Sequence, residues 1–269
     1  MKAEKPKKTS HAGNGDGLSK TFVLIHGSWH GGWAWHGVAR ELQKKGHRPH
    51  APTLAGHGPK ASRRGVTHEN CVGSVCTYIQ ERGLDDIILV GHSFGGSVVQ
   101  KVAERLSDRI ARLVFLDGLV LADGECVFDN LPADYVQAFM GLAAASPDNS
   151  MLIPWEIWRD RFMQDAREAE ARAVWERLRP QPNQVNCDRL NLERFYSLDI
   201  PKSFLYCRQD QALPAGHFHP RMSSRLGACQ LLEMDGSHEV MFTRPRELAE
   251  KLVEASPQNA HRRDSCGCG

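Results

Sequence analysis

Apolar positions along the chain follow two rhythms. Short continuous runs at residues 21–26, 87–90, 111–116, 203–207 and 230–234 are rich in branched and aromatic side chains. Runs of that length and content are suited to strands buried on both faces. Between them the apolar residues recur at helical spacing. A helix is predicted over 33–45 with Gly46 as its C-terminal cap, and another over 67–82, where Val72, Val75, Cys76 and Ile79 share a face and Gly83 closes the element. A third follows residue 93, with Val98, Val99, Val102, Ala103 and Leu106 on one side. A weaker strand is read over 48–54 and a short helix near 222–226. The last helix takes Thr243 as N-cap and Pro245 in its first turn, burying Leu248, Ala249, Leu252 and Val253.

Alternating strands and helices predict an α/β fold with a mostly parallel central sheet flanked by helices, and reactive residues at the carboxyl ends of the strands. The rhythm changes over 119–197, where no clear strand is seen and helices are read over 132–145 and 154–178. This stretch reads as a helical cap insertion between core segments 21–118 and 198–255. Trp155, Trp158 and Phe162 fall at i, i+3 and i+7 in it; packing of the insertion on the main domain is the preferred role for this stripe, ahead of substrate contact. Residues 1–20 and 256–269 lack the apolar content to bury surface and read as a flexible arm and tail.

Charge adds little. With 34 basic and 32 acidic residues the net charge is +2, which gives no electrostatic case for nucleic acid or an anionic membrane and suits a small-molecule substrate. No apolar run reaches the ~18 residues of a membrane span, and the polar first residues lack a signal-peptide core, so the expectation is a cytoplasmic monomer or homodimer. The eight cysteines have no zinc-type spacing and read as reduced thiols, with Cys76 and Cys207 as core filler and no metal site.

Residues 91–95 read Gly-His-Ser-Phe-Gly, a G-x-S-x-G turn between a buried strand and an amphipathic helix. Small residues on both flanks let the backbone turn sharply enough to expose the Ser93 hydroxyl. A serine nucleophile needs a base and an acid to orient it. His238, in a Gly-Ser-His turn after the last strand, stands at the same sheet edge as Ser93; His26, His30, His57 and His92 read as wall or bracing residues. The acid is Asp210 after the penultimate strand, ahead of Asp117, which follows the strand after the elbow and can be a turn residue. The glycine-rich turn at 27–32 follows the first strand, so the backbone N–H groups of Ser28 and Phe94 are the natural oxyanion donors. Trp29 and His30 beside them are substrate-binding candidates.

With HGSWHGGW, LVGHSFGG, CRQD and GSHE in order, residues 21–254 resemble the α/β-hydrolase superfamily, more closely its small-esterase branch with plant methyl esterases, hydroxynitrile lyases and related bacterial esterases. The resemblance implies a Ser93–His238–Asp210 triad, an oxyanion hole at Ser28 and Phe94, a cap that shapes the pocket, and no cofactor. Lyases of this group carry threonine and lysine where this chain has Gly27 and Glu239, which ranks ester, lactone or thioester hydrolysis above lyase chemistry. C–C hydrolysis, perhydrolysis and a receptor-like role with little turnover are the other readings of such a site.

Overall fold

The computed structural model describes residues 19–257. Its strands are β1 (Thr21–Ile25), β2 (Arg48–His50), β3 (Ile87–His92), β4 (Ile110–Leu116), two short cap strands β5 (Ser150–Met151) and β6 (Gln181–Pro182), then β7 (Lys202–Cys207) and β8 (Gln230–Met234). Six of them form one sheet in the order β2-β1-β3-β4-β7-β8, and every neighbouring pair is parallel. The chain builds outward from β1 to β2, then crosses back to β3 on the other side. That reversal leaves a crevice above the carboxyl ends of β1 and β3.

Side chains alternate along each strand, and both alternating sets are buried. Val23, Ile25, Leu89, Leu113, Phe115 and Phe204 enter one core layer with helices α2 (His68–Glu81) and α3 (Gly95–Arg105). Phe22, Leu24, Val90, Val114, Leu116 and Leu205 enter the other, which is closed by α1 (His36–Lys44) and the final helix, Pro245–Glu254. Burying each such side chain contributes about 1.5–3 kcal/mol. Local chemistry sets the helix ends. Thr67 and Asn70 exchange side-chain to backbone hydrogen bonds at the start of α2, a capping box, and Gly46 and Gly83 take the positive φ (+83° and +56°) that ends α1 and α2.

Several predicted elements are corrected. The strand expected over 48–54 stops at His50 because later backbone donors leave the sheet: Leu54 N–H goes to His26 Nε2 at 3.1 Å and Ala55 N–H to Ser74 Oγ at 3.2 Å. The first helix begins as a 3-10 turn, Gly32–Trp35. In the cap, the helix expected over 154–178 is broken into Trp155–Ile157, a wider turn Trp158–Phe162, and Glu168–Trp175. Asp165, in the break, accepts from Ser237 N–H and Thr243 Oγ, both at 3.1 Å. Thr243 is therefore tied to the cap, and Arg244 is the N-cap ahead of Pro245. The helical turn near 222 is His217–Met222. Ser256, assigned to the tail, is buried and bonded to Leu252 O; residues 1–18 and 258–269, with Cys266 and Cys268, lie outside the described residues.

Candidate active site

Ser93 stands at the turn from β3 into α3 with φ +52°, a left-handed conformation that costs a non-glycine residue about 1–3 kcal/mol and persists only where the surroundings impose it. They do so here. A Cβ at Gly91 would come within 2.6 Å of Gly95 O, and one at Gly95 within 2.8 Å of the carbonyl oxygens of Ile25 and His26. Only glycine on both flanks lets the strand and helix close on each other and on β1. Ser93 N–H donates to Leu116 O at 3.2 Å, and Ser93 O accepts from Gly96 and Leu119 N–H, each at 2.9 Å.

His238 follows β8 and is buried. Its Nδ1 donates to Asp210 Oδ2 at 2.6 Å, which leaves Nε2 as the other face of the ring. Asp210 Oδ1 is held by Ala212 N–H at 2.8 Å. Of the two acids considered from sequence, Asp210 is the one on the imidazole. Asp117 instead takes Cys207 N–H on both oxygens at 3.1 Å. Burial, with the Asp210 charge beside it, raises the Asp117 carboxyl well above its ordinary range. Burial also works to lower His238, but the charge and hydrogen bond of Asp210, helped by Glu239 and Asp117, outweigh it and bring the imidazole to about 9.

The loop after β1 is pinned on both sides of Ser28. His26 Nε2 accepts from Leu54 N–H, so its proton is on Nδ1, which donates to Gly27 O at 2.8 Å. Gly27 C=O and Ser28 N–H are opposite ends of one planar peptide, so His26 orients the Ser28 N–H. His30 Nδ1 donates to Ser28 O at 2.7 Å, fixing the next peptide, and Trp29 between them has φ +64°. Phe94 is the N-cap of α3, where backbone N–H groups favour negative charge. His92 braces the opposite wall, its Nε2 donating to His238 O at 3.0 Å. His57 Nδ1 donates to Ala55 O at 2.9 Å, and its ring stacks on Phe94 at 6.1 Å.

Ser28, Ser93 and His238 meet on one cavity. Apart from Tyr135 and Asn186 the rest of its lining is apolar, with Trp29, Phe128, Phe139, Phe162 and Phe218 the bulkiest contributors. Trp29 lines the cavity, and His30 does not: it lies behind the wall among Trp33, Trp158 and Phe242. The cap stripe divides its labour. Trp155 packs under Arg172, Trp158 donates to Ala171 O, and Phe162 faces the cavity with its ring edge-on to His238 at 5.2 Å. Sequence reasoning missed Asn186 and Phe218 as lining residues, since neither carries a local motif, and noted Glu239 only as a departure from the lyases.

Among the described residues, two groups of side chains approach metal-ligand spacing, His92–His238–Glu239 and Asp117–Asp210–His238. Within them His92 Nε2 is held by a carbonyl, His238 Nδ1 by Asp210, and Asp117 by a backbone N–H.

The chain is similar to several known proteins. A solved extracellular α/β-hydrolase from a Paenibacillus species, described as sharing structural and functional homology with tobacco salicylic acid binding protein 2, is 42% identical with TM-score 0.86, over 89% of this chain and 100% of that one. The carbendazim hydrolyzing esterase of Nocardioides sp. (strain SG-4G) is 33% identical over 241 residues, 86% of this chain and 98% of its own. Methylesterase 7 of Arabidopsis thaliana is 26% identical over 259 residues, 90% and 98% of the two chains. The profile of the Alpha/beta hydrolase family matches residues 22–251, and the chain belongs to that family.

Proposed function

We propose that the protein is a carboxylic ester hydrolase that uses Ser93 as nucleophile on small, largely apolar esters. Ser93 Oγ attacks the ester carbonyl while His238 Nε2 takes its proton, and the Asp210 carboxylate holds the ring and stabilises the imidazolium. The N–H groups of Ser28 and Phe94 receive the negative oxygen. His238 then protonates the departing alcohol, and water, activated by the same histidine, releases the acid and restores Ser93. The observation that carries this reading is the 2.6 Å His238–Asp210 hydrogen bond on a cavity that Ser93 shares. The esterase and methylesterase names of the relatives support ester hydrolysis, and the aromatic wall of Trp29, Phe139, Phe162 and Phe218 favours an aromatic or branched acyl group esterified to a small alcohol such as methanol.

The test is covalent labelling with a fluorophosphonate, read by intact mass and by hydrolysis of a nitrophenyl ester. Wild-type protein takes up one label and loses activity, while Ser93→Ala takes up no label and does not hydrolyse the ester. A folded wild-type protein that stays unlabelled and inert to every ester refutes the proposal.

A further inference from the structure

The mechanism above leaves one buried ionisable side chain unused. Glu239 follows His238 directly and is 2% exposed. Its Oε2 has no hydrogen-bond partner, and neither does Nε2 of His30, itself 1% exposed. The two atoms lie 3.4 Å apart. A carbonyl oxygen can only accept, so the 2.7 Å contact of His30 Nδ1 with Ser28 O puts a proton on Nδ1. A neutral His30 then turns a bare lone pair toward Glu239, and an ionised Glu239 would turn another back. Two buried acceptors facing each other are unfavourable, and one proton between them removes the conflict.

We propose that Glu239 is a positioning residue: its carboxyl shares a single proton with Nε2 of His30, and His30 thereby holds the Ser28 carbonyl and the oxyanion loop in register with the His238 turn. The proposal rests on the ester-hydrolase reading of Ser93, His238 and Ser28. Its logic is connectivity. The loop after β1 brings the donor for the oxyanion, the turn after β8 brings the base, and the Glu239–His30 pair is a polar side-chain contact that joins them, beside the apolar stacking of Phe242 on His30. Glu239 N–H is also fixed, to Phe162 O at 3.2 Å, so the cap, the base and the oxyanion loop meet at one residue.

The proton does not stay at every pH. The charged and titratable groups around the Glu239 carboxyl are His30 from the loop after β1, His92 at the end of β3, Asp210 after β7, and His238 beside it. Burial raises Glu239, His238 opposes the rise, Asp210 adds to it, and the carboxyl comes to about 8. Burial holds His30 down at about 3, against its bond to Ser28. Below pH 8 the pair is neutral and the bridge is made. Above it, the proton leaves, and a negative charge stands beside the base and behind the site where the oxyanion forms.

The experiment compares kcat and KM on a nitrophenyl ester from pH 6 to 10 for wild type, Glu239→Gln and Glu239→Leu, with fluorophosphonate labelling of Ser93 and thermal melting on each. Wild-type kcat falls as pH rises through about 8. The glutamine variant, whose amide donates to His30 Nε2 without ionising, keeps its kcat to higher pH. The leucine variant loses on the order of 10- to 100-fold in kcat at neutral pH, as expected for a misplaced donor loop, with KM changed far less. A glutamine variant with the wild-type alkaline fall overturns the proposal, as does a folded leucine variant with wild-type kcat. Because glutamine is isosteric, its pH profile decides even if the leucine variant does not fold. A wild type that neither labels nor turns over refutes the hydrolase reading instead.

Discussion

His238 carries the most consequential charge in the site. In the proposed reaction its ring must be neutral to accept a proton from Ser93, and its surroundings raise the imidazole to about 9. The expected outcome is a kcat/KM that rises with pH through the neutral range as the ring is freed and turns down above about 8, where Glu239 loses its proton. Asp210→Asn removes the charge that raises the ring most and offers a donor where an acceptor is needed. It should cut turnover by about 10⁴-fold and shift the remaining limb toward lower pH; Asp117→Asn, which leaves the ring's partner in place, should cost far less. Steady-state pH–rate profiles of the two variants check this. Asn186 sets a second residue-scale expectation. It is 2% exposed, lines the cavity, and its Nδ2 has no partner, so an ester with a polar group at that end can satisfy it. Asn186→Leu should raise KM by roughly 10-fold or more for such esters and lower it for purely hydrocarbon ones, measured on matched ester pairs.

At the scale of elements, the elbow joins three of them. Gly95 lets α3 seat on β1, and the carbonyl oxygens of Ile25 and His26 stand where a side chain would go. Those atoms belong to backbone and cannot swing away, so Gly95→Ala should cost about 1–3 kcal/mol by overpacking and displace the Ser28 loop. A lowered melting temperature together with a lowered kcat is the expected result, and a change in neither would refute the account. The elements themselves were readable where burial follows local rhythm. β7, β8, α2 and α3 lie within a residue or two of their predicted ranges because strand and helix periodicity, the Thr67 cap and the terminal glycines act within a few positions. β2 and the cap helix were over-extended for the opposite reason: His26, Ser74 and Asp165 capture groups from segments distant in the chain, and no local pattern announces such a bond.

Across the whole molecule, buried histidines dominate the response to pH. Burial lowers His26, His30, His57, His68, His92 and His217, with His30 brought to about 3 and His68 and His217 to about 4. A histidine whose folded value lies below its unfolded 6.5 takes up a proton on unfolding between the two, so its contribution to stability is present above 6.5 and is lost as pH falls. Glu239 and Asp117, raised in the fold, act with the opposite sign, favouring the fold at low pH and less so as pH rises toward their folded values. His238, raised to about 9, loses its contribution between 6.5 and 9. Six groups against two predicts that stability falls on acidification below 6.5, each histidine contributing up to about 1.4 kcal/mol per pH unit, and that it also declines toward pH 9. Chemical denaturation across pH 4–9 should give a maximum near 6.5; a flat profile would contradict the assignment of these rings as neutral.

The sequence by itself determined the α/β alternation, the sharp turn at Ser93, and the turns that carry Asp210 and His238 to the same edge of the sheet, because each depends on residues within a few positions of one another and on the rule that parallel strands end together. Only the tertiary structure decided that Asp210 and not Asp117 reaches the His238 ring, that His30 lies behind the cavity wall while Phe162 lies on it, and that Glu239 faces His30. These are contacts between side chains far apart in sequence, and their direction is set by how the cap packs over the sheet, which periodicity along one segment does not encode.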